Sequence, residues 1–270
     1  MPMGAFLSPH TVPPPRGDNM TKIQIDRKQL LDFLSDFGKN AEDLRIKFAD
    51  GKMTASVAFI SHYLSKTRKV EGSILEAGTL DITELVKVRQ FIKAAKNDLV
   101  TIRQTGSAKT LNITCGSSKI SMPTSSTIVS AAKAVLFQKL IDEAVESKWT
   151  KFHSCDLNTS GVITLDELST VSKMRGILNS TPIFKITANP SENEFLISSG
   201  KRHETKLFTT LELRDSTGPV TGSVSSTFGS WFMDNIALLG KGEATIHMGE
   251  TTIIALEKDD DLLVIIDQRV

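Results

Sequence analysis

At 270 residues, 40% hydrophobic and 23% charged, the chain has the length and apolar content for two ordinary domains with a sizeable core. A formal net charge of +1 does not announce a nucleic-acid partner, although a near-neutral protein can still carry one basic face. Cys115 and Cys155 have no Cys or His spacing around them, which argues against a disulfide scaffold or structural zinc, and no stretch approaches the roughly 20 apolar residues of a transmembrane helix.

Residues 1–20 hold Gly4, Pro9, Gly17 and the run Pro13-Pro14-Pro15 without signal-peptide order, and read as a disordered leader. From Lys22 the periodicity becomes informative. Lys22 to Asp26 alternates as a strand, and Arg27 to Gly38 switches to helical spacing with Leu30, Leu34 and Phe37 on one face. Strands are expected at Leu44 to Phe48, Met53 to Phe59 and Tyr63 to Glu71, with Asp50-Gly51 as a hairpin signal between the first two. The order then repeats: a strand at Thr79 to Thr83, and a helix from Glu84 to Lys96 with Leu85, Val88, Ile92 and Ala95 on one face. Three more strands follow, at Leu99 to Gln104, Thr110 to Cys115 and Lys119 to Met122.

Pro123 to Ser160 breaks the pattern. Ala131 to Trp149 is rich in Ala, Lys and Glu and reads as a helix within an interdomain connector. Beyond Gly161 the pattern returns, with a strand at Val162 to Leu165 and a helix at Asp166 to Leu178. Strands at Ile183 to Ala188, Glu194 to Ser198 and Thr205 to Leu213 complete this unit. The last unit has a strand at Val220 to Ser225, a helix at Phe228 to Leu239, and strands at Ala244 to Met248, Thr252 to Glu257 and Leu262 to Asp267. The expected fold class is α+β: a βαβββ unit occurring four times, with Lys22 to Thr79 spanning 57 positions and Val162 to Val220 spanning 58. The expected domains are 21–123 and 161–270, joined by a connector over 124–160.

The five histidines (His10, His62, His153, His203, His247) are scattered and form no local catalytic motif. Gly106 to Thr110 resembles the tail of a phosphate loop, but it lacks the first glycine and lies between two strands, so it reads as a hairpin. The sharpest motif runs from Asp156 to Glu167, with Asp156, Asn158 and Ser160 at loop positions one, three and five, Gly161 at six and Glu167 at twelve. This is the ligand spacing of an EF-hand calcium loop. Against it, only one such loop is present, and Lys148 and Lys151 stand where an incoming helix wants core residues. The alternative is a polar linker entering the second repeat.

A basic constellation is spread over the helices. The helix from Glu84 carries Lys87, Arg89, Lys93 and Lys96; Lys28 and Lys39 belong to the first helix, Lys173 to the third and Lys241 to the end of the fourth. One charged helix face is ordinarily a solvated face. Four helices at equivalent places in a repeat could instead present one surface that neutralises phosphates without reading bases.

Paired βαβββ units, two pairs per chain, resemble the sliding clamps of DNA replication, including the proliferating-cell nuclear antigen type and the clamps of T-even phages. The local likeness to the phage clamps is strongest over Ile163 to Lys201 and Gly242 to Asp267, whereas the helix-prone connector stands where the family has an extended segment. The resemblance implies a closed ring of six such domains, hence a homotrimer, whose helices line the hole and whose strands pair across subunit boundaries. It further implies a processivity factor and not an enzyme, with no cofactor, non-specific double-stranded DNA as ligand, and a DNA polymerase and clamp loader as partners. A docking groove near the connector and chain end is implied, as is a cytoplasmic location, the host's cytoplasm if the protein is viral. The ring lining would comprise Lys28, Lys39, Lys87, Arg89, Lys93, Lys96, Lys173 and Lys241. The rival readings are a calcium-binding EF-hand-like interaction module, with Asp156, Asn158, Ser160 and Glu167 as ligands, and an enzyme whose site assembles only in space.

Overall fold

A computed structural model describes residues 20–38, 41–105, 110–124, 128–174, 183–199, 206–218, 223–229 and 231–266; the expected leader lies outside them. The first half opens with Met20–Asp26 (β1), Arg27–Ser35 (α1), Leu44–Ala49 (β2), Lys52–Ala58 (β3), His62–Lys69 (β4) and a short Gly72–Glu76 (β5). It continues with Gly78–Ile82 (β6), Leu85–Ala94 (α2), Leu99–Thr105 (β7), Thr110–Cys115 (β8) and Ser118–Pro123 (β9). The connector is the helix Val129–Glu146 (α3) and a small hairpin of Lys151–Phe152 (β10) and Cys155–Asp156 (β11). The second half runs through Thr159–Thr164 (β12), Leu165–Met174 (α4), Phe184–Asn189 (β13), Glu194–Ser199 (β14), Leu207–Glu212 (β15) and Arg214–Thr217 (β16). Val224–Phe228 (β17), Trp231–Ile236 (α5), Glu243–Met248 (β18), Ile253–Lys258 (β19) and Asp261–Ile266 (β20) complete it.

The βαβββ order therefore holds in all four units, with local departures that have physical causes. The strand expected over Tyr63 to Glu71 ends at Lys69, and beyond it the chain turns at Gly72 to bring a further strand, β5, against β1. Gly72 has φ +154°, and a Cβ there would lie 2.1 Å from the Gln24 carbonyl oxygen, so only glycine permits this approach. Of the segment Thr205 to Leu213, position 205 lies outside the described residues and Leu207–Glu212 forms β15, after which a further strand, β16, follows. Of the strand expected at Val220 to Ser225, positions 220–222 lie outside the described residues, and β17 takes in Val224 and Ser225 and runs on to Phe228. Its alternation was disguised by Ser226, which faces inward between Val224 and Phe228 and donates to the Gly249 carbonyl oxygen at 2.7 Å. Asp50 and Gly51 both have positive φ (53° and 72°), as the hairpin signal requires. Residues 106–109 lie outside the described residues, but Thr105 pairs with Thr110 on either side of them, as the hairpin reading expects.

The units are interlocked in pairs. Strand β1 pairs with β7 (Ile23 opposite Ile102) while β2 pairs with β6 (Ile46 opposite Leu80), so each unit gives its opening strand to the other unit's meander. The second half repeats this exchange, β12 pairing with β18 and β13 with β17. Three large sheets result, ordered β5-β1-β7-β8-β9, β16-β12-β18-β19-β20-β4-β3-β2-β6 and β15-β14-β13-β17. The nine-stranded sheet crosses both halves because β20 pairs with β4, Val264 opposite Tyr63 and Ile265 opposite His62.

Side chains alternate across this junction. Leu64, Leu263 and Ile265 join the core that takes in Leu30 and Phe33 of α1, Leu85 and Val88 of α2, Leu168 of α4 and Phe232 of α5. Tyr63 and Val264 face the other way, into a second core under α3 with Ala134, Ile141, Ala144, Trp149 and Phe152. The four repeat helices thus lie on one side of the junction and α3 on the other.

At the helix-side end of the junction sits a buried ion cluster. Lys66 on β4, only 2% exposed, lies 3.2 Å from Asp36 and 3.7 Å from Asp261 of β20. Arg68 pairs with both carboxylates, and the Thr67 amide donates to Asp261 at 3.2 Å. Asp36 is the C-cap of α1, where the helix dipole disfavours a negative charge and the two cations offset it. Removing Asp261 leaves the buried Lys66 with Asp36 alone, while Arg68 and Asp36 keep partial access to water, so Asp261→Ala should destabilise the fold by about 3 kcal/mol, read as a lowered urea midpoint. His62, at the opposite end of the junction, is buried and its pKa is lowered to about 4 by desolvation. Between about pH 6.5 and that value the unfolded chain binds a proton that the folded chain refuses, so stability falls as pH drops through this window, by about 3 kcal/mol at full depth. Urea titrations of the wild type and His62→Phe across that range should diverge, the variant losing less stability on acidification.

Candidate nucleic-acid interface

Helices α1 and α2 pack on each other, as do α4 and α5, and each buries an apolar stripe on the same core. The Asp26 side chain caps α1 by accepting from the Gln29 amide at 2.8 Å. The helix stops at Ser35, earlier than periodicity suggested, because Phe37 turns back onto Phe33 in an edge contact at 5.4 Å.

The exposed faces of these helices carry most of the expected cations. Lys28 on α1, Lys87 and Lys93 on α2, and Lys96 just beyond it are all exposed. Lys87 is tied to Glu84 one turn earlier. Arg89 is placed differently: it is half-buried, its Nη2 donates to the Gly38 carbonyl oxygen at 2.9 Å, and burial lowers its pKa. It fastens α2 to the chain leaving α1. Lys241 follows α5 with its side chain 84% exposed, 3.9 Å from Asp166 of α4. Lys39 lies outside the described residues, and of Lys173 only the backbone, within α4, is described.

The calcium-loop spacing does not become a calcium loop. Strand β12 runs from Thr159 to Thr164 through its middle, paired with both β18 and β16. Six extended residues span about 20 Å, which carries Asp156 and Glu167 apart, whereas calcium ligands must converge on one point. Ser160 meets the Thr217 hydroxyl at 2.7 Å, and Asn158 is exposed in the connection ahead of the strand. Gly161 serves packing: a Cβ there would lie 2.5 Å from Leu213. The residues fit a polar entry into the second repeat.

The opposite, outer side of the junction belongs to α3. Its end is anchored by Trp149, which stacks on His247 at 5.3 Å, and His247 Nε2 lies 2.9 Å from Glu257. That hydrogen bond holds the Glu257 carboxyl below its usual pKa. The Tyr63 hydroxyl donates to Gln138 of α3 at 3.1 Å. Between α3 and the strands β2, β3 and β6 lies a cleft of about 260 Å³ lined by Arg45, Lys47, Ser56, Ala134, Val135 and others. Val135 and Leu136 stand 68% and 74% exposed. This arrangement was foreshadowed by the unbroken apolar run Leu262-Leu263-Val264-Ile265-Ile266, since a strand covered on one face only would alternate.

No protein-family model matches the chain, and no curated protein matches it by sequence. Solved structures do. The β subunit of DNA polymerase III from Thermotoga maritima is 13% identical over 97% of this chain and 68% of its own, with a TM-score of 0.66. The DNA polymerase sliding clamp from Bacillus subtilis is 12% identical over 97% and 67%, with a TM-score of 0.68. The A. fulgidus PCNA, solved with the C-terminal region of FEN-1 bound, is 14% identical over 93% of this chain and 98% of its own, with a TM-score of 0.64. The chain spans about two thirds of the bacterial proteins, 63% in one Helicobacter pylori β clamp. These likenesses show that it has the DNA-clamp fold.

The two kinds of cation on α2 are separable by stability. Arg89→Ala should cost about 1–3 kcal/mol by losing a charged, part-buried hydrogen bond to the Gly38 carbonyl oxygen. Lys93→Ala should stay within about 0.5 kcal/mol of the wild type, both read from urea midpoints.

Proposed function

We propose that the protein is a sliding clamp: copies join head to tail into a ring that encircles duplex DNA and tethers a DNA polymerase. The observation that carries this is the pair of strands left open by the repeat. Within the chain, the last strand of the first meander, β4, pairs with the last strand of the fourth, β20. The corresponding strands of the second and third meanders, β9 and β15, each end a sheet. A second copy satisfies both by repeating the junction, β9 of one against β15 of the next. Such a heterologous contact either closes into a ring or runs on as a filament, and closure removes the open edges. Phe208 stands 62% exposed on β15, an apolar group of the kind such an edge would cover. If six halves close the ring, as the resemblance implies, three copies are needed.

In such a ring the four helices of each copy face the hole, since they share one side of the continuous sheet, and α3 faces outward. Lysines on the helices attract phosphates without reading bases, which suits a protein that must slide. The function on this reading is topological and not enzymatic. Partner segments dock on the outer face around α3, near Val135, Leu136 and Ile60 in the β3–β4 turn, which is 72% exposed. The neighbouring folds give a parallel: one H. pylori β clamp was solved bound to a DNA ligase peptide, and the A. fulgidus PCNA with FEN-1's C-terminal region. A polymerase, and a loader that opens the ring at the β9–β15 joint, are the expected users of this face.

The full chain should sediment as three copies, appear as rings by negative-stain microscopy, and stay on nicked circular DNA but slip off once the circle is cut. Ser121→Lys with Phe208→Lys, one charge on the exposed face of each open edge strand, should give folded monomers with unchanged circular dichroism and no retention on circles. A wild type that is strictly monomeric and never topologically retained would sink the reading.

A further inference from the structure

We infer, resting on the clamp reading, that the joint between copies repeats the strand register of the internal β4–β20 junction but not its buried ions. Ile120 then lies opposite Leu207, Lys119 opposite Phe208, and a neutral hydroxyl pair, Ser118 and Thr209, stands where the junction holds Asp261 and Lys66. The repeat supplies this correspondence row by row. Ile23, Ile102, Ile113 and Ile120 lie opposite one another across β1, β7, β8 and β9. Gly161, Ile246, Leu256 and Leu263 do so across β12, β18, β19 and β20. Ile23 and Gly161 each stand four positions ahead of a repeat helix (27 minus 23, 165 minus 161), so Ile120 is the counterpart of Leu263. Leu80, Ile46, Ala55 and Lys66 form a row across β6, β2, β3 and β4. Its equivalent is Ser226, Ile186, Ile197 and Thr209 across β17, β13, β14 and β15. Leu80 and Ser226 each stand five positions ahead of a helix (85 minus 80, 231 minus 226), so Thr209 answers Lys66 and Leu207 answers Leu64.

Within the chain Leu263 lies opposite Leu64 and Leu262 opposite Ser65. Carried to the open edges, that register sets Ile120 against Leu207 and Lys119 against Phe208. Side-chain direction agrees. Leu207 is buried and Ile120 packs on the main core, as Leu64 and Leu263 do, while Lys119 and Phe208 are exposed on the other face. Backbone direction agrees as well, since the polar groups along a strand point alternately to its two sides. The Leu213 amide donates back to Asn193, which leaves the groups of Phe208, Thr210 and Glu212 aimed at the open edge. A two-residue turn sets Cys115 opposite Ser118, which leaves the groups of Lys119 and Ser121 aimed at theirs. A slip of one residue would mismatch both the faces and the hydrogen bonds. Slips of two or four keep both, the latter setting Lys119 against Glu212, and the repeat selects between them.

The chemistry at the end of the two contacts differs. In the junction Lys66 lies 3.7 Å from Asp261, and Arg68 pairs with the same carboxylate. In the joint Ser118 takes the place of Asp261, each being the first residue after its hairpin turn, and Thr209 that of Lys66. Two positions on, Leu211 opposite Phe195 answers Arg68 opposite Met53. Parting β4 from β20 would break a buried ion cluster. Parting β9 from β15 would break main-chain hydrogen bonds, one inward apolar pair and one hydroxyl pair, all of which water or the adjoining core can satisfy. The same register thus serves a permanent contact within the chain and a separable one between copies.

Cysteine pairs in the full-length protein under mild oxidation test the register, with the wild type setting the background from Cys115 and Cys155. Lys119→Cys with Phe208→Cys puts two cysteines opposite each other, with about 5.5 Å between Cα atoms, and should give covalent dimers and trimers on a denaturing gel. Lys119→Cys with Glu212→Cys sets the second cysteine four residues further along, about 13 Å away, and should give none above background. Thr209→Lys should weaken ring assembly by about tenfold or more in a chain whose circular dichroism is unchanged. Adding Ser118→Asp should recover most of that loss, because the two side chains would then pair across the joint. Rings that cross-link through positions 119 and 212, through both pairs or through neither would overturn the inference while leaving the clamp reading intact. So would a Thr209→Lys defect that Ser118→Asp does not relieve. A wild type that forms no ring and shows no retention on circular DNA removes the clamp reading and this inference with it.

Discussion

The antiparallel pairing of β4 with β20 is the contact on which the rest of the architecture depends. It brings together strands from opposite ends of the chain and turns two interlocked halves into one nine-stranded sheet. Its chemistry is graded along its length. At the helix-side end a buried lysine is held between Asp36 and Asp261, with Arg68 completing the cluster. The apolar pairs Val264 with Tyr63 and Leu263 with Leu64 fill its middle, and His62 stands opposite Ile265 at the far end. Buried ions add little net stability over a well-packed apolar alternative. They do penalise any register that leaves them unmatched, and a sheet whose side chains alternate is sensitive to a slip of one residue.

Because the junction is buried on both faces, it also decides what each face of the molecule can do. The helix side is closed by α1, α2, α4 and α5, and the outer side by α3 with Trp149, Phe152 and Leu157. The connector is therefore a second layer over the joint and not a strap between independent bodies. Its anchor, the stack of Trp149 on His247 backed by Glu257, lies on second-half strands, while Tyr63 ties its middle to the first half. The covering element thus grips both halves.

Charge on the helix side shows why counting cations is an incomplete guide to an interface. Lys93 and Arg89 are four residues apart on one helix, yet one stands in solvent and the other is drawn under to reach the Gly38 carbonyl. A planar guanidinium with several donors suits the second task, and a compact ammonium on a long stem suits the first.

Much of this is legible in the residues alone. The period-2 and period-3.6 runs place the helices and the strands of the βαβββ units, though not the short strands β5, β10, β11 and β16; the Asp50-Gly51 turn sets a hairpin, and the recurrence of βαβββ announces the duplicated α+β class. These signals are local: each depends on residues a few positions apart, and burial writes them directly into the order of apolar and polar side chains. What stayed hidden was set by distant partners. Ser226 broke an alternation because its acceptor, Gly249, lies 23 positions on. The glycine at 161 matched a calcium loop until Leu213 came to lie against it, and β12 could be extended there only because β16 and β18 flank it. The exchange of opening strands between units, the β4–β20 junction and the inward turn of Arg89 all pair residues far apart in the chain. Such pairings leave no period in the sequence, because the free energy that selects them belongs to the assembled sheet and its two covered faces.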